Sequence, residues 1–301
     1  MNEVVALGNF DGVHLGHQAV LRRAVEEGRK RGGRIVAATF DPHPRAVLGT
    51  GIQPKLLTTL ELRREALLRY GAEEVRVIRF DEELSRKSPE EFVREVLVGE
   101  LGADVVVVGE NFRFGHEAAG DVEALARLMR LSGGEAYAVP VRSEDGERGI
   151  NSTRIRELVA RGEVAGAGRL LGRPYVVRGE VVEGDRRGRS IGFPTANVLP
   201  DQVQVVPGRG VYAGFARVGE NTHAACTNVG VAPTFERGEG RVEAHLLDFE
   251  GDLYGAIMDV SFVWRIRLEK RFSGVQELKA QIARDVDEAR RLTGDAVWCM
   301  W

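Results

Sequence analysis

Cysteine is scarce in this chain, and its arrangement does not point to a zinc site. The 301 residues contain two cysteines, Cys226 and Cys299, which lie far apart in the sequence. No spacing of cysteine with histidine matches the ligand spacing of a zinc site. A chain of this kind fits a reducing compartment, and we expect a cytoplasmic protein.

The chain also lacks an excess of positive charge and any long apolar run. Lysine and arginine total 42 against 45 aspartates and glutamates, a formal charge of -3, so no overall basic field would attract nucleic acid. No stretch approaches the roughly 18 apolar residues of a membrane span, and the first residues do not resemble a signal peptide. We expect a soluble, unprocessed protein with neither nucleic acid nor membrane among its partners.

The first half of the chain has the pattern of a parallel α/β domain. A length of 301 residues suggests about two domains. Up to about residue 161, short β-branched runs alternate with helical periodicity. The run at residues 105–108 is apolar on both faces, as a central parallel strand requires. The predicted strands are residues 4–7, 35–40, 75–78, 105–108 and 137–141, and the predicted helices are residues 17–31, 60–70, 89–101 and 121–132.

The pattern changes after residue 174. Short alternating runs separated by Gly, Pro, Asn and Asp fill residues 175–267, which predicts an antiparallel barrel or sandwich, and residues 275–292 are predicted to form a helix. The predicted junction is residues 162–172, in which residues 169–171 can still be helical. The fold class is therefore α/β plus β.

A glycine-rich segment at residues 8–17, GNFDGVHLGH, follows the first predicted strand and leads into a helix. Its three glycines allow tight turns, and the helix N-terminus presents unpaired N–H groups with a partial positive charge, so the segment predicts a phosphate site. His14 and His17 are three residues apart and share a helix face. Both can reach a phosphoryl oxygen, one as a cationic donor and one as a neutral donor.

Two further polar loops follow predicted strands of the same sheet, at residues 41–44 and 109–115. Ligands of parallel sheets bind outside the carboxyl ends of the strands. We therefore expect these loops and residues 8–17 to converge on one crevice.

Several motifs together resemble one enzyme family. Residues 8–17, 109–115 and 151–156 are similar to the FMN adenylyltransferase half of prokaryotic bifunctional riboflavin kinase/FAD synthetase. Residues 192–197, 210–213, 228–230, 233–235 and 243–249 resemble its riboflavin kinase module. The similarity covers nearly the whole chain in the family's order, and the combination is far more specific than the H-x-G-H segment alone.

The resemblance implies a domain layout and a function. Residues 1–165 would form a Rossmann-like nucleotidyltransferase domain with a parallel sheet, and residues 172–296 a riboflavin-kinase-like antiparallel β-barrel with a C-terminal helix. The implied enzyme phosphorylates riboflavin to FMN with ATP and then adenylylates FMN to FAD, releasing pyrophosphate. It implies Mg²⁺ as cofactor, ATP as co-substrate and FMN and FAD as product ligands, and it leaves the oligomeric state open.

In the amino-terminal half, the resemblance implies that His14 and His17 are catalytic, although one histidine could merely pack or cap the helix. Asn111 stands where many relatives have Asp, so it supplies no charge for magnesium. The 151–156 segment could also be an ordinary helix N-cap followed by a solvated arginine. Asp41 could be an ordinary turn residue. The remaining implied contacts are Gly8, Phe10, Asp11, Gly16, Ser152, Thr153 and Arg156 for ATP and phosphate, and Asp41, Asn111 and Phe112 for flavin.

In the carboxy-terminal half, the resemblance implies that Glu243 is the base that takes the hydroxyl proton, the alternative being a surface glutamate on a strand. Thr195 and Asn197, two residues apart, would face one side of an extended segment and bind Mg²⁺ or nucleotide oxygens. The other implied contacts are Gly179, Gly184 and Gly188, in a flap over the phosphates, and Phe193 and Asn228 for flavin. Arg186, Arg187 and Arg189 in that flap could contact nucleotide or be solvated.

Two other functions remain open at this point. The chain could be a nucleotidyltransferase for another phosphate-bearing acceptor, with the barrel as a flavin-binding appendage, or a non-catalytic flavin-binding regulator. Glu243, Thr195 and Asn197 disfavour the first, and intact His14 and His17 disfavour the second. Trp298 and Trp301 have no explanation in this scheme.

Overall fold

The chain folds into two compact units. The computed structural model describes residues 2–49, 55–140, 149–184, 188, 191–231 and 240–294. One unit comprises Met1–Pro54 and Leu60–Ser152, and the other comprises Lys55–Thr59 and Thr153–Trp301. The division differs from the domain ranges expected from the sequence at residues 55–59 and 153–165, and those ranges stay a prediction.

The first unit alternates strands and helices. Its strands are β1 (Glu3–Leu7), β2 (Arg34–Asp41), β3 (Glu74–Arg79), β4 (Ala103–Gly109) and β5 (Glu135–Val139). Its helices are α1 (Leu15–Arg31), α2 (Pro44–Leu48), α3 (Leu60–Arg69), α4 (Glu82–Arg86), α5 (Pro89–Glu91), a π-helix (Phe92–Glu100), a 3-10 helix (His116–Ala118) and α6 (Val122–Leu131). The next helix, α7 (Ser152–Ala160), begins at Ser152, which is the last residue of the first unit.

The five strands form one parallel sheet in the order β3-β2-β1-β4-β5. The chain runs outward from β1 through β2 to β3 and then resumes on the other side of β1 with β4 and β5. Strand β4 is a near-continuous valine run buried on both faces, with Val105 and Val107 completely inaccessible to solvent. A sheet of this order has its switch point between β1 and β4, where ligands of such folds bind.

The second unit is a closed antiparallel barrel with helices α7, α8 (Val164–Leu171) and α9 (Val275–Thr293). The strands are β6 (Tyr175–Val182), β7 (Ala196–Pro200), β8 (Gly210–Val218), β9 (Asn221–Val231), β10 (Gly240–Leu246) and β11 (Ile257–Arg267). The barrel closes in the order β10-β7-β6-β11-β8-β9. Strands β8 and β11 contain continuous runs of buried residues, so they are central to the core of the barrel.

The predicted fold class is confirmed, with differences in single elements. The predicted helix at residues 89–101 is α5 followed by the π-helix, and the predicted junction at residues 162–172 contains α8, which ends at Gly172 in the left-handed conformation. Two glycines inside α8, Gly166 and Gly168, disguised a helix whose Val164, Ala167 and Leu171 are buried. The short helices α2 and α4 were not predicted. No helix in the described ranges has the length and apolar character needed to cross a membrane.

A buried ion-pair cluster joins three barrel strands. Asp259 on β11 is 3% exposed and accepts hydrogen bonds from Arg178 on β6, at 2.5 and 2.8 Å. The same carboxylate accepts a 2.5 Å bond from Arg217 on β8. A buried charge is tolerated only when it is paired and hydrogen-bonded, so removing the Asp259 carboxylate takes a close ion-pair partner from both guanidinium groups.

We expect Asp259→Ala to lower the free energy of unfolding of the barrel by roughly 3–5 kcal/mol, because two part-buried guanidinium groups lose this carboxylate. Chemical denaturation followed by circular dichroism measures the change. Glu288→Ala is the matched control, since it removes a carboxylate from an exposed i,i+3 ion pair with Arg291 and should shift the transition little. Equal effects of the two variants would contradict the role given to Asp259.

Candidate active sites

The segment after β1 is buried and conformationally strained. Phe10 and Val13 have φ values of 50° and 41°, in the left-handed region that side chains other than glycine rarely adopt. Both are almost inaccessible, and the Val13 carbonyl accepts a 2.9 Å hydrogen bond from Gln18 Nε2. Each such residue costs on the order of 1–3 kcal/mol, and such strain clusters at functional sites.

The two histidines of this segment lie face to face. The rings of His14 and His17 have centroids 3.6 Å apart with an interplanar angle of 16°. His14 caps α1, because its Nδ1 accepts a 3.3 Å hydrogen bond from the His17 backbone N–H. An accepting Nδ1 is unprotonated, which places the His14 proton on Nε2. Two cations at this separation would repel, so at most one of the two rings is protonated on both nitrogens.

The start of α7 lies against the same segment. The Ser152 hydroxyl donates a 2.9 Å hydrogen bond to the backbone carbonyl of Asp11, a residue that is 1% exposed. Thr153 is the next residue of α7, and its hydroxyl accepts a 3.4 Å hydrogen bond from Arg156. The structure therefore brings Ser152 to the strained segment, as the sequence predicts.

Most of the remaining predicted contacts of the first unit lie at or just after the carboxyl ends of strands. The Gly8 N–H donates to Ala38 O at 3.1 Å, so the segment is tied to β2 as it leaves β1. Asp41 is the last residue of β2, and Asn111 is exposed in the turn after β4. Phe112 is partly buried and stacks on Phe114 at 5.7 Å, so part of its ring belongs to the core of the unit. Gly16 lies in the first turn of α1.

A buried arginine behind this segment was missed from the sequence. Arg63 on α3 is 1% exposed, and its Nη1 donates to Thr39 Oγ1 at 3.3 Å and to Phe40 O at 3.2 Å. Thr39 Oγ1 donates in turn to Asn9 O at 3.0 Å. Burial lowers the pKa of Arg63, while the nearby carboxylates of Asp11 and Asp41 act in the opposite direction. Arg63 occupies an otherwise ordinary position in a helix, and its burial leaves no signal in the sequence pattern.

In the barrel, strand register brings three predicted residues into one row. Glu243 on β10 lies directly opposite Asn197 on β7 and opposite Asn228 on β9. Val242 and Ala244, its neighbours on β10, are completely buried, so the pleat turns Glu243 to the other face. Asn228 Nδ2 donates to Glu243 Oε2 at 3.3 Å and orients that carboxylate.

Arg241, two residues before Glu243 on the same face, was not predicted. Its guanidinium donates to Asn197 Oδ1 through Nε at 3.0 Å and Nη2 at 2.6 Å. Nη2 also lies 2.8 Å from Glu243 Oε1. This arginine therefore connects the residue predicted to be the base with a residue predicted to bind Mg²⁺.

All three predicted glycines of the flap lie where side chains would not fit. A Cβ on Gly184 would come within 2.2 Å of Asn197 Nδ2, and a Cβ on Gly188 within 2.3 Å of Phe193 O. Gly179 lies inside β6, paired with Pro200, and a Cβ there would come within 2.1 Å of Leu199 O. The His245 ring contacts Phe193 edge to face, and its Nδ1 lies 2.7 Å from Pro194 O.

Two cavities meet at Thr195 and Asn197. The first, of about 470 Å³, contains Glu243 and Asn228, and the second, of about 560 Å³, lies beside the turn that follows β10. Thr195 and Asn197 line both. The first is also lined by Gly188, Phe193, Cys226, Arg241, His245, Arg267, Asp285 and Val286, and the second by Phe249, Asp252, Leu253 and Tyr254. The sequence had signalled none of Phe249, Asp252 or Tyr254 as individual contacts.

Helix α9 contributes to the wall of the first cavity and is joined to β11 by an ion pair. Arg267 on β11 donates to both carboxylate oxygens of Asp285 on α9, at 2.6 to 3.0 Å, and Asp285 is 2% exposed. Burial raises the pKa of the neighbouring Cys226 to about 12, so this thiol is protonated and unreactive at neutral pH.

The donor atoms at Thr195 and Asn197 fit a hard divalent cation. They offer a hydroxyl and an amide oxygen beside the Glu243 carboxylate, which is the ligand chemistry that Mg²⁺ prefers. Within the described ranges no group of three or more His, Cys, Asp or Glu side chains could hold a metal ion. A magnesium site here would therefore depend on neutral oxygen ligands and on the phosphates of the nucleotide.

Several predicted features lie outside the described residues. They are Arg186, Arg187 and Arg189 of the flap, residues 233–235 of the kinase-like motif, and Trp298 and Trp301 near the end of the chain.

Comparisons with known proteins identify the family. Residues 1–154 match the model described as FAD synthetase, and residues 171–293 match the model described as riboflavin kinase. The chain is 40% identical over 292 residues to the bifunctional riboflavin kinase/FMN adenylyltransferase of Escherichia coli K12, covering 97% of this chain and 93% of that protein. It is 38% identical to the protein of the same name from Bacillus subtilis, covering 96% and 92% of the two chains.

A solved structure shares the whole fold. The crystal structure described as a macrolide-efflux protein from Streptococcus pneumoniae superposes with a TM-score of 0.87 at 33% identity, covering 96% of this chain and 94% of that one. Its description differs from the names of the curated relatives, whereas both family models and those relatives agree with each other. The strained histidine segment, the Glu243 row and these matches lead to one conclusion: the chain belongs to the bifunctional riboflavin kinase/FMN adenylyltransferase family.

Proposed function

We propose that this chain makes FMN and FAD at two separate sites, a kinase site in the barrel and an adenylyl-transfer site at the carboxyl edge of the parallel sheet. It is an enzyme of flavin cofactor biosynthesis, a riboflavin kinase and FMN adenylyltransferase. The observation that best supports the kinase assignment is that two cavities share Thr195 and Asn197, so an acceptor and a nucleotide can bind on either side of the same polar pair.

The position of Glu243 decides which cavity would hold which substrate. A base must lie within hydrogen-bond reach of the hydroxyl that it deprotonates, so riboflavin belongs in the cavity that contains Glu243, with Phe193 and Asn228 on its wall. ATP then belongs in the second cavity, beside Phe249 and Tyr254. The γ-phosphate would lie between the cavities, under Gly184 and Gly188.

In the kinase reaction the ribityl 5'-hydroxyl oxygen bonds to the γ-phosphorus while the bond from that phosphorus to the bridging oxygen breaks. ADP leaves with the electron pair, and the hydroxyl proton passes to Glu243, which Asn228 holds in place. Thr195 and Asn197 would hold Mg²⁺, which when bound supplies positive charge that offsets the charge on the phosphates.

In the adenylyl-transfer reaction an FMN phosphate oxygen bonds to the α-phosphorus of ATP, and pyrophosphate leaves. This chemistry needs positioning and donors aimed at the phosphoryl oxygens rather than a protein nucleophile. His14 offers its Nε2–H as a neutral donor, and the ring of His17, stacked against it, would be the second donor. The start of α7, with Ser152 bonded to the same segment, would bind the departing pyrophosphate with Thr153 and Arg156. Asp41, Asn111 and Phe112 would contact FMN.

The two other functions considered from the sequence are not favoured. A transferase for another acceptor would not need a kinase half, yet residues 171–293 match the riboflavin kinase model. A regulator with decayed sites would not need the base, the paired histidines and the polar pair at Thr195 and Asn197 all in place. We further propose that the enzyme works in the cytoplasm and takes neither nucleic acid nor membrane as a partner.

The direct test is to incubate the protein with riboflavin, ATP and Mg²⁺ and to separate the flavins by chromatography. We expect FMN to appear first and FAD to follow. Formation of neither product from riboflavin, together with no FAD from added FMN, would refute the proposed function.

We expect His17→Ala to stop the sequence of reactions at FMN. Loss of one charge-stabilising donor should reduce FAD formation from added FMN by about 100-fold or more, while FMN formation stays unchanged. His116→Ala is the matched control, because His116 is an exposed histidine of the same unit that contacts Ser85 O at 3.2 Å. FAD formation by His17→Ala within a few-fold of the unmodified enzyme would exclude His17 from catalysis.

We expect Glu243→Ala to show the reverse pattern. Loss of the base should reduce FMN formation from riboflavin by about 100-fold or more, while added FMN is still converted to FAD. Glu180→Ala, which removes an exposed carboxylate from β6 of the same barrel, serves as the control. If kinase turnover survived in Glu243→Ala, another group would have to accept the hydroxyl proton.

A further inference from the structure

Arg241 holds the polar groups of the kinase site together in this structure. Both of its hydrogen bonds to Asn197, from Nε and Nη2, end on the single oxygen Oδ1. An amide oxygen has two lone pairs, and the two N–H groups use both of them. A metal ion therefore cannot bind this oxygen while the guanidinium stays where it is.

The same guanidinium also engages Glu243. Nη2 lies 2.8 Å from Oε1, and Asn228 donates to Oε2 of the same carboxylate. Both oxygens that could accept the riboflavin proton thus have a donor close by. One guanidinium therefore contacts the proposed base and a proposed metal ligand at the same time.

The location of Arg241 makes it more than a surface ion pair. Its side chain is 22% exposed and lines the riboflavin cavity, at the boundary with the second cavity where Asn197 lies. If the proposed function is correct, the transferred phosphoryl group passes through the boundary between the two cavities. A guanidinium presents planar paired donors that match phosphate oxygens, and it stays charged at all physiological pH values.

We propose that Arg241 is a further catalytic residue of the kinase: it rests on Asn197 and Glu243, and it moves onto the transferred phosphoryl group when nucleotide and metal bind. Departure from Asn197 frees the amide oxygen, and departure from Glu243 frees the base. Arrival at the phosphoryl group places a cation on the oxygens that gain negative charge during transfer. This proposal rests on the proposed kinase function and extends it by one residue and one movement.

Steady-state kinetics of Arg241→Gln and Arg241→Lys test the catalytic part. We expect Arg241→Gln to lower kcat for FMN formation by about 100-fold, with KM for riboflavin and ATP within about threefold. Arg241→Lys should recover part of the loss, because it restores the charge without the paired donors. Arg290→Gln, which breaks an exposed ion pair with Asp248, is the matched control and should leave kcat unchanged.

FAD formation from added FMN, measured on the same preparations, shows that the first unit of each variant is folded and works, and the two KM values report on the barrel. A general distortion of the barrel would raise both KM values, and a merely structural arginine would not give a loss confined to kcat. An Arg241→Gln enzyme with unchanged kcat would overturn the proposal.

A crystal structure with ADP, Mn²⁺ and FMN tests the movement without turnover. Anomalous scattering locates Mn²⁺, and we expect it on Asn197 Oδ1, with the Arg241 guanidinium within hydrogen-bond distance of the FMN phosphate or of the β-phosphate of ADP. A guanidinium that still donates to Asn197 in this complex would overturn the proposal.

These outcomes differ from a failure of the proposed function. If the unmodified protein made no FMN, the kinase assignment itself would fall. If it made FMN and the Arg241 variants did so equally well, only the role of Arg241 would fall.

Discussion

The kinase site depends on the register between β7, β10 and β9. Asn197, Glu243 and Asn228 form one row only because each is paired directly with the next across the barrel wall. A shift of β10 by one residue would turn Glu243 into the core and bring Val242 or Ala244 to the cavity. Those two side chains are completely buried, so the hydrophobic core of the barrel itself holds the carboxylate in place.

In the first unit, the polar residues of the proposed site are positioned by the sheet order and by the backbone conformation of one segment. There the sheet order creates a switch point between β1 and β4, and the segment after β1 is forced into left-handed backbone at Phe10 and Val13. Two hydrogen bonds hold the segment in place, a buried one from Gln18 inside α1 and a part-buried one from Ser152 at the start of α7. In both halves a sheet positions the polar groups, and loops or turns carry the residues that we propose bind phosphate.

The sequence was informative where periodicity or a motif reports directly on burial. The valine run of β4 predicted a central parallel strand, and the spacing of Thr195 and Asn197 predicted a shared face. Arg63 and Arg241 could not be predicted in the same way, since a charged residue in a helix or an alternating strand normally faces solvent. Their roles depend on contacts with residues far away in the chain. Helix α8 was obscured by its glycines, although its apolar residues follow helical spacing.

The second unit contains a piece of chain from the middle of the first half. Leu56 pairs with Gln204, with hydrogen bonds of 2.6 Å to Val203 and 2.8 Å from Val205, and the completely buried Gln204 side chain donates to Leu57 O at 3.0 Å. Cutting the gene once between the halves would therefore strip the barrel of residues that complete its hydrogen bonding. A free-standing kinase made from this chain would need a replacement for the hydrogen bonds that Leu56 and Leu57 make with residues 203–205.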